Sequence, residues 1–199
     1  MDFKKLVKER RSIKHFDAQH EMHKDEIREL FELTMLSPTA FNLQHWRFTV
    51  IENKDLREEI KSVSFNQSQV TDASLLVVVS GDLDAWKKNP KKYWRNADQK
   101  TQDLMGSMIH GFYNQKTEIQ RDEVMRSCSM AAMTLMLGAK NLGYDSCPMD
   151  GFDFDAVAKL LKFPKNQIPI MFVVIGKKTK DAWPRGGQLS MNEVVSFIR

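Results

Sequence analysis

The sequence predicts one α+β domain, and three observations carry that reading. Residues 75–79, Leu-Leu-Val-Val-Val, form a continuous β-branched apolar run with Gly81 just beyond it. Such a run suits a strand covered on both faces. Residues 168–175 make a second strong strand, stopped by Gly176. Between the two, residues 121–142 carry Val124, Met125, Cys128, Met130, Ala131, Leu135 and Met136, so apolar side chains nearly encircle a helix axis. That helix is expected to be buried on most sides, which in a chain of 199 residues hints at a second subunit. No internal repeat and no Pro/Ser/Gly linker interrupts residues 1–199, which read as a single domain.

The other elements follow in order. Residues 2–9 form a short amphipathic helix with Phe3, Leu6 and Val7 on one side, running into a basic-polar turn at 10–17. A helix over 24–36 is marked by Ile27, Leu30, Phe31, Leu33 and Met35 at near-helical spacing. Ser37-Pro38 stops it, because a proline pushes its predecessor out of the helical region. Residues 39–46 are a loop rich in hydrogen-bonding side chains, followed by a strand at 47–51 and a polar helix at 53–63. The stretch 82–120 shows the least regular pattern and is expected to form a variable helical cap. Gly143 ends the long helix, a short extended piece reaches Pro148, and a helix at 154–161 precedes the second strand. The tail, 186–199, closes with Val194-Val195-Ser196-Phe197-Ile198, too short to bury itself alone.

Composition narrows the function classes. With 42% hydrophobic and 28% charged residues, 9 Gly and 6 Pro, the chain is neither low-complexity, collagenous nor a disulfide miniprotein. A formal charge of +4 does not identify a nucleic-acid binder, and no stretch approaches the ~18 apolar residues of a membrane span. The N-terminus has no signal-peptide run, and Cys128 and Cys147 read as reduced, buried thiols, which fits a cytoplasmic location. There is no Walker A loop, no G-x-G-x-x-G and no G-x-S-x-G elbow. His15, His20, His23, His45 and His110 show no metal spacing, and His20 and His23 read as surface residues.

Several short constellations could carry chemistry. Arg10-Arg11-Ser12-x-Lys14 places three cations and a hydroxyl within five residues, suited to phosphate oxygens or, more plainly, to an exposed basic turn. Asn42-x-Gln44 offers amides for a heterocycle edge or a sugar chain. Asn66 and Gln69 stand three apart before Asp72-Ala73. Pro148-Met149-Asp150-Gly151 puts a glycine where backbone can approach a ligand closely. Arg185 follows Pro184 near the end of the chain. Lys87-Lys88 and Lys91-Lys92 read as a solvated charged face or a contact to an anionic partner. Each has an ordinary structural alternative when read separately.

In their order, these pieces resemble the nitroreductase family of FMN-dependent oxidoreductases. Arg10 to Phe16 is similar to the family's R-R-S-x-R/K-x-F, and Ser37 to Phe48 to its S-P-S-x-x-N-x-Q-P-W-x-F. Asp72-Ala73 before the first long strand, Gly143 to Asp153 as G-x-x-x-x-P-[IM]-x-G-F-D, and Trp183-Pro184-Arg185 complete the series. His45 stands where the family usually has Pro, Gln69 where some members have Lys, and Gly187-Gln188 where a second cation would follow Arg185.

The resemblance implies an intertwined homodimer with a central, mostly antiparallel sheet flanked by helices and FMN at the subunit interface. It implies that Arg10, Ser12 and Arg185 hold the FMN phosphate with Arg11 beside them. Lys14 would stabilise the reduced flavin, as a donor does in an oxyanion hole. Ser37, Pro38, Thr39, Ala40, Asn42 and Gln44 would come from the other subunit, and Asn66 and Gln69 would face the pyrimidine edge. Pro148, Met149, Asp150 and Gly151 would run over one flavin face. Phe112, Tyr113 or Trp94 in the cap would stack on a small planar acceptor. NADH or NADPH would donate the hydride, and a nitroaromatic or quinone would take it up; no membrane or nucleic-acid partner is implied. The alternatives are the same fold acting on a non-nitro substrate (as enone reductase, dehalogenase or dehydrogenase), a flavin-binding protein without turnover, and a nucleic-acid binder resting only on the basic balance.

Overall fold

The two apolar runs become the centre of one antiparallel sheet in the computed structural model, which describes residues 2–199. Its strands are β1 (Trp46–Val50), β2 (Leu75–Asp82), β3 (Asp145–Met149) and β4 (Gln167–Gly176), in the order β1-β2-β4-β3. All eight residues of β2 are buried, and β2 pairs with β4 from Leu75↔Ile175 to Asp82↔Gln167. Central strands with helices over both faces have no polar face to show, hence the unbroken Val run. The outer strands are five residues each.

Strand periodicity sorts the core into two layers. Leu75, Val77 and Val79 meet α6 (Thr117–Asn141) through Val124, Cys128, Ala131 and Leu135, with α2 (Lys24–Thr34) adding Leu30. Leu76 and Val78 face Ile60 of α3 (Lys54–Ser62), Val157 of α7 (Phe154–Leu160) and the Ile13–Phe16 segment that follows α1 (Phe3–Glu9). A third cluster, Leu43, Trp86, Ile109 and Tyr113, ties the cap to the 39–46 loop.

Helix and sheet approach tightly at Gly81, where an added Cβ would lie 2.2 Å from Val124 Cγ1 and 3.2 Å from Cys128 Sγ. Gly81→Ala is therefore expected to force α6 off the sheet and cost roughly 1–3 kcal/mol, read as a lower denaturation midpoint with an unchanged slope.

Three expectations need correction. The long helix starts at Thr117, not 121, because its first turn is mostly polar and its one apolar residue, Ile119, packs on the cap cluster rather than on the sheet. It is not wrapped within one chain: Met130 and Met133 are 39% and 38% exposed on the side away from the sheet. The 82–120 stretch is more regular than its sequence, with α5 (Gln99–Tyr113) spanning fifteen residues and Asp82 belonging to β2. The remaining α-helices are α4 (Gln69–Asp72), which leads into β2, and α8 (Met191–Val194) beyond β4, of which no residue is buried; 3-10 turns span Ala40–Asn42 and Pro90–Trp94. In the tail Trp183, Leu189, Met191, Val194, Phe197 and Ile198 are between 62% and 99% exposed.

Candidate functional site

The basic turn is positioned by β3. After α1 the chain extends, Ser12 bridges Ser146, and the Ile13 N–H donates to Ser146 O at 3.1 Å. Alternation then buries Ile13 and turns Ser12 and Lys14 outward. The C-terminal segment returns alongside: Arg11 Nη2 donates to Trp183 O at 2.5 Å and Arg185 Nη2 to Lys8 O at 3.2 Å. Arg10, Arg11, Ser12, Lys14 and Arg185 thereby line one cleft of about 290 Å³. Among the described residues none of its four cations is in an ion pair. Cys147 lies beneath them; burial pushes its thiol up against the pull of Lys14, Arg10 and Ser12, so it stays a thiol. Burial takes Cys128 up to about 12. Both cysteines are free and buried, as the sequence suggests.

A second surface adjoins the far end of β3. Phe65 and Asn66 both have positive φ, 52° and 54°, and this turn holds Phe65 80% exposed beside Gly151. Gln67 fastens the two pieces, its Nε2 donating to Gly151 O at 3.0 Å and to Ser64 O at 3.2 Å. Asn66 and Asp150 are exposed, Pro148 and Gly151 half-buried, and Met149 buried in the core. Gln69 is buried, with its amide given to Gln67 Oε1 at 3.1 Å rather than presented outward. Neither Phe65 nor Gln67 stands out in sequence: a phenylalanine in left-handed backbone leaves no pattern, and a glutamine in a polar turn looks generic.

The third predicted segment lies elsewhere. Residues 37–45 lead into β1, whereas the Arg10–Lys14 segment bridges the outer side of β3 at the opposite sheet edge, about 19 Å away at four strand spacings. Phe41, Asn42 and Gln44 all have positive φ, between 46° and 56°. Asn42 Nδ2 donates to Tyr93 O at 2.8 Å, and Gln44 Nε2 to Asn42 Oδ1 at 3.2 Å. Ser37 is buried, its hydroxyl 2.7 Å from Thr34 O and 2.8 Å from Thr134 Oγ1, while Pro38 is exposed and Thr39 and Ala40 are half-buried. His45 is wholly buried with Nδ1 3.2 Å from Asp82 O, and burial lowers its pKa, so the ring stays neutral. Phe112 joins this group, 5.6 Å from the Phe41 ring and 43% exposed. Tyr113 does not qualify as a stacking residue: it is fully buried in the cap cluster. His20 is also no simple surface residue, since it reaches Tyr144 Oη at 3.4 Å.

One chain thus brings together Arg10–Lys14, Arg185, Pro148–Gly151 and the Asn66 turn, and holds Ser37–Gln44 apart. The nitroreductase family model matches residues 7–177, so the chain belongs to the nitroreductase family. It is 47% identical over 182 residues to protein DrgA of Synechocystis, covering 92% of this chain and 87% of that one. It is 30% identical over 186 residues to an oxygen-insensitive NADPH nitroreductase of Helicobacter acinonychis, covering 90% and 89%. Among solved structures, a nitroreductase homologue of Exiguobacterium sibiricum in complex with FMN superposes with a TM-score of 0.92 at 29% identity, covering 100% of this chain and 98% of that one. Among the described residues no group of His, Cys, Asp and Glu could hold a metal ion, and no helix is long and apolar enough to cross a membrane.

Proposed function

We propose that this protein is an FMN-dependent NAD(P)H oxidoreductase, working as a homodimer and reducing a planar acceptor such as a nitroaromatic or quinone. One observation carries the reading: four cations and a serine hydroxyl share a cleft with no carboxylate to neutralise them, as a phosphate dianion requires. The FMN-bound relative and the NADPH nitroreductase name the same chemistry for their own proteins.

Bound FMN supplies two-electron hydride chemistry, and the protein binds, orients and tunes it. Arg10, Arg185 and Ser12 hold the phosphate, with Arg11 beside them. Lys14, exposed in the wall of that cleft, would set a positive charge where negative charge collects on reduction. Gly151, with no side chain, lets backbone approach the ring, and Asn66 offers its amide to the pyrimidine edge. Ser37 to Gln44 of a second copy complete the pocket.

Phe65 is the residue best placed to stack on an acceptor, being exposed, conformationally fixed and against Gly151. Phe65→Ala is expected to raise KM for aromatic acceptors about five-fold or more while leaving flavin content unchanged.

The dimer reading rests on the open side of α6 and the uncovered apolar tail. Removing residues 188–199 is expected to shift the protein from dimer to monomer in sedimentation and to lower its flavin content together with it. An unshifted dimer would reassign the tail.

The deciding experiment is an anaerobic absorbance series on purified protein. Flavin bands that bleach with NADPH or NADH and return on adding a nitroaromatic are expected. A colourless protein that FMN cannot reconstitute would overturn the reading.

A further inference from the structure

One carboxylate sits where an apolar helix has no evident use for it. Glu123 is 9% exposed on the flank of α6 beside its sheet-facing side, and a rotation of about 100° per residue puts Glu123, Ser127 and Thr134 within roughly 40° of one another. This polar stripe meets the 37–39 segment at two points. Thr134 Oγ1 lies 2.8 Å from Ser37 Oγ, and Ser127 Oγ lies 2.9 Å from Thr39 Oγ1 and 3.0 Å from Glu123 Oε1. His45 from the loop and Tyr113 from α5 both feel the Glu123 charge, yet among the described residues His45 Nε2 and Tyr113 Oη have no hydrogen-bond partner, so neither is what the carboxylate serves. Its other oxygen meets only Arg126, at 3.4 Å and at the surface.

The chemistry of the chain gives it a direction. A carboxylate only accepts, so Ser127 must donate to Glu123. A serine has one hydroxyl hydrogen, so across the 2.9 Å contact Thr39 must donate to Ser127. Thr39 then has lone pairs and no hydrogen left to offer.

We propose that Glu123 is a positioning residue for the cofactor loop, acting through Ser127 to fix Thr39 as a hydrogen-bond acceptor for a hydroxyl or ring N–H of the flavin. The inference rests on the FMN reading above. The loop needs such an anchor, because three left-handed non-glycine residues just beyond Thr39 persist only where their surroundings hold them.

The test compares FMN dissociation constants of the full-length protein and its Ser127→Ala, Thr39→Val, Glu123→Gln and Glu123→Gln/Thr39→Val variants. Glutamine keeps the shape but can donate to Ser127, which removes the imposed direction. Each single change is expected to weaken FMN binding roughly five-fold, the worth of one net hydrogen bond. The double variant should be no weaker than Thr39→Val alone, whereas a purely structural role would make the losses multiply and track the melting temperature. Amide exchange over residues 39–44 in the flavin-free protein should quicken in Ser127→Ala and Glu123→Gln. Folded variants that bind FMN like the parent, losses that multiply in the double variant, or unchanged loop exchange would each overturn the proposal. Failure of the underlying reading looks different: the parent itself would take up no FMN. Should Ser127→Ala not fold, Thr39→Val and Glu123→Gln carry the comparison.

Discussion

Arg10→Ala combined with Arg185→Ala is expected to yield a folded protein that purifies without flavin. Each guanidinium carries five N–H donors, and Arg185 commits one of them to Lys8 O, leaving the rest for an anion. Charge-assisted hydrogen bonds are worth about 1.5–3 kcal/mol each, so losing two such partners should raise the FMN dissociation constant by roughly 10²- to 10⁴-fold. Neither residue belongs to the core clusters, so the melting temperature of the flavin-free protein should hardly move. Riboflavin, which has no phosphate, separates the roles: its affinity should be the same for parent and double variant. Arg11→Ala should behave differently, because Arg11 grips Trp183 O and its loss would first loosen the tail. Near-parental FMN binding by the double variant would place the phosphate elsewhere.

What could be read in advance follows the physics of each signal. β2 and β4 were legible because burial on both faces leaves an unbroken apolar run, and the Arg10–Lys14 group because its charges are adjacent in sequence. Its convergence with Arg185 was not a matter of composition; it came from motif order and is realised by the Arg11–Trp183 and Arg185–Lys8 hydrogen bonds. The cap hid its helix because α5 leaves Leu104, Met108 and Phe112 exposed and buries only Ile109 and Tyr113, a weak amphipathic signal for fifteen residues. Glu123 was invisible for the opposite reason. A charged residue among apolar ones is ordinarily solvent-facing, and only the fold shows it turned toward the loop. Gln69 was legible by position but not by state, since its amide turns inward to Gln67.

Asp82→Ala should be the most destabilising single change outside the core. Asp82 ends β2 with its side chain buried, accepting from Asn166 Nδ2 at 2.6 Å, the Asp84 N–H at 2.9 Å and Arg47 Nη2 at 3.2 Å, with Lys88 Nζ at 3.5 Å. Its N–H donates to His45 O at 2.9 Å and its carbonyl lies 3.2 Å from the His45 ring Nδ1, so one residue joins the sheet, the cap and the 37–45 loop. Burial alone would push its carboxyl up, but the Asp84 N–H, the Asn166 amide and the Lys88 and Arg47 cations together hold it below its ordinary value of 3.8. Removing one member of such a buried network costs about 3–5 kcal/mol; because Arg47 and Lys88 are themselves partly solvated, the lower end is expected. For a chain of this length that is a fall of roughly 10 °C in melting temperature. The pH dependence has a definite sign. A depressed carboxyl stabilises the fold fully above its unfolded value of 3.8, and that stabilisation fades as pH falls through the lower folded value. Parent and Asp82→Asn should therefore differ by a constant amount near neutrality and converge under acid. A gap that persists in acid would assign the effect to shape rather than charge. Because the 37–45 loop hangs from the same residue, flavin should leave Asp82→Ala at temperatures below global unfolding; simultaneous loss of both would show that the loop does not loosen independently of the sheet.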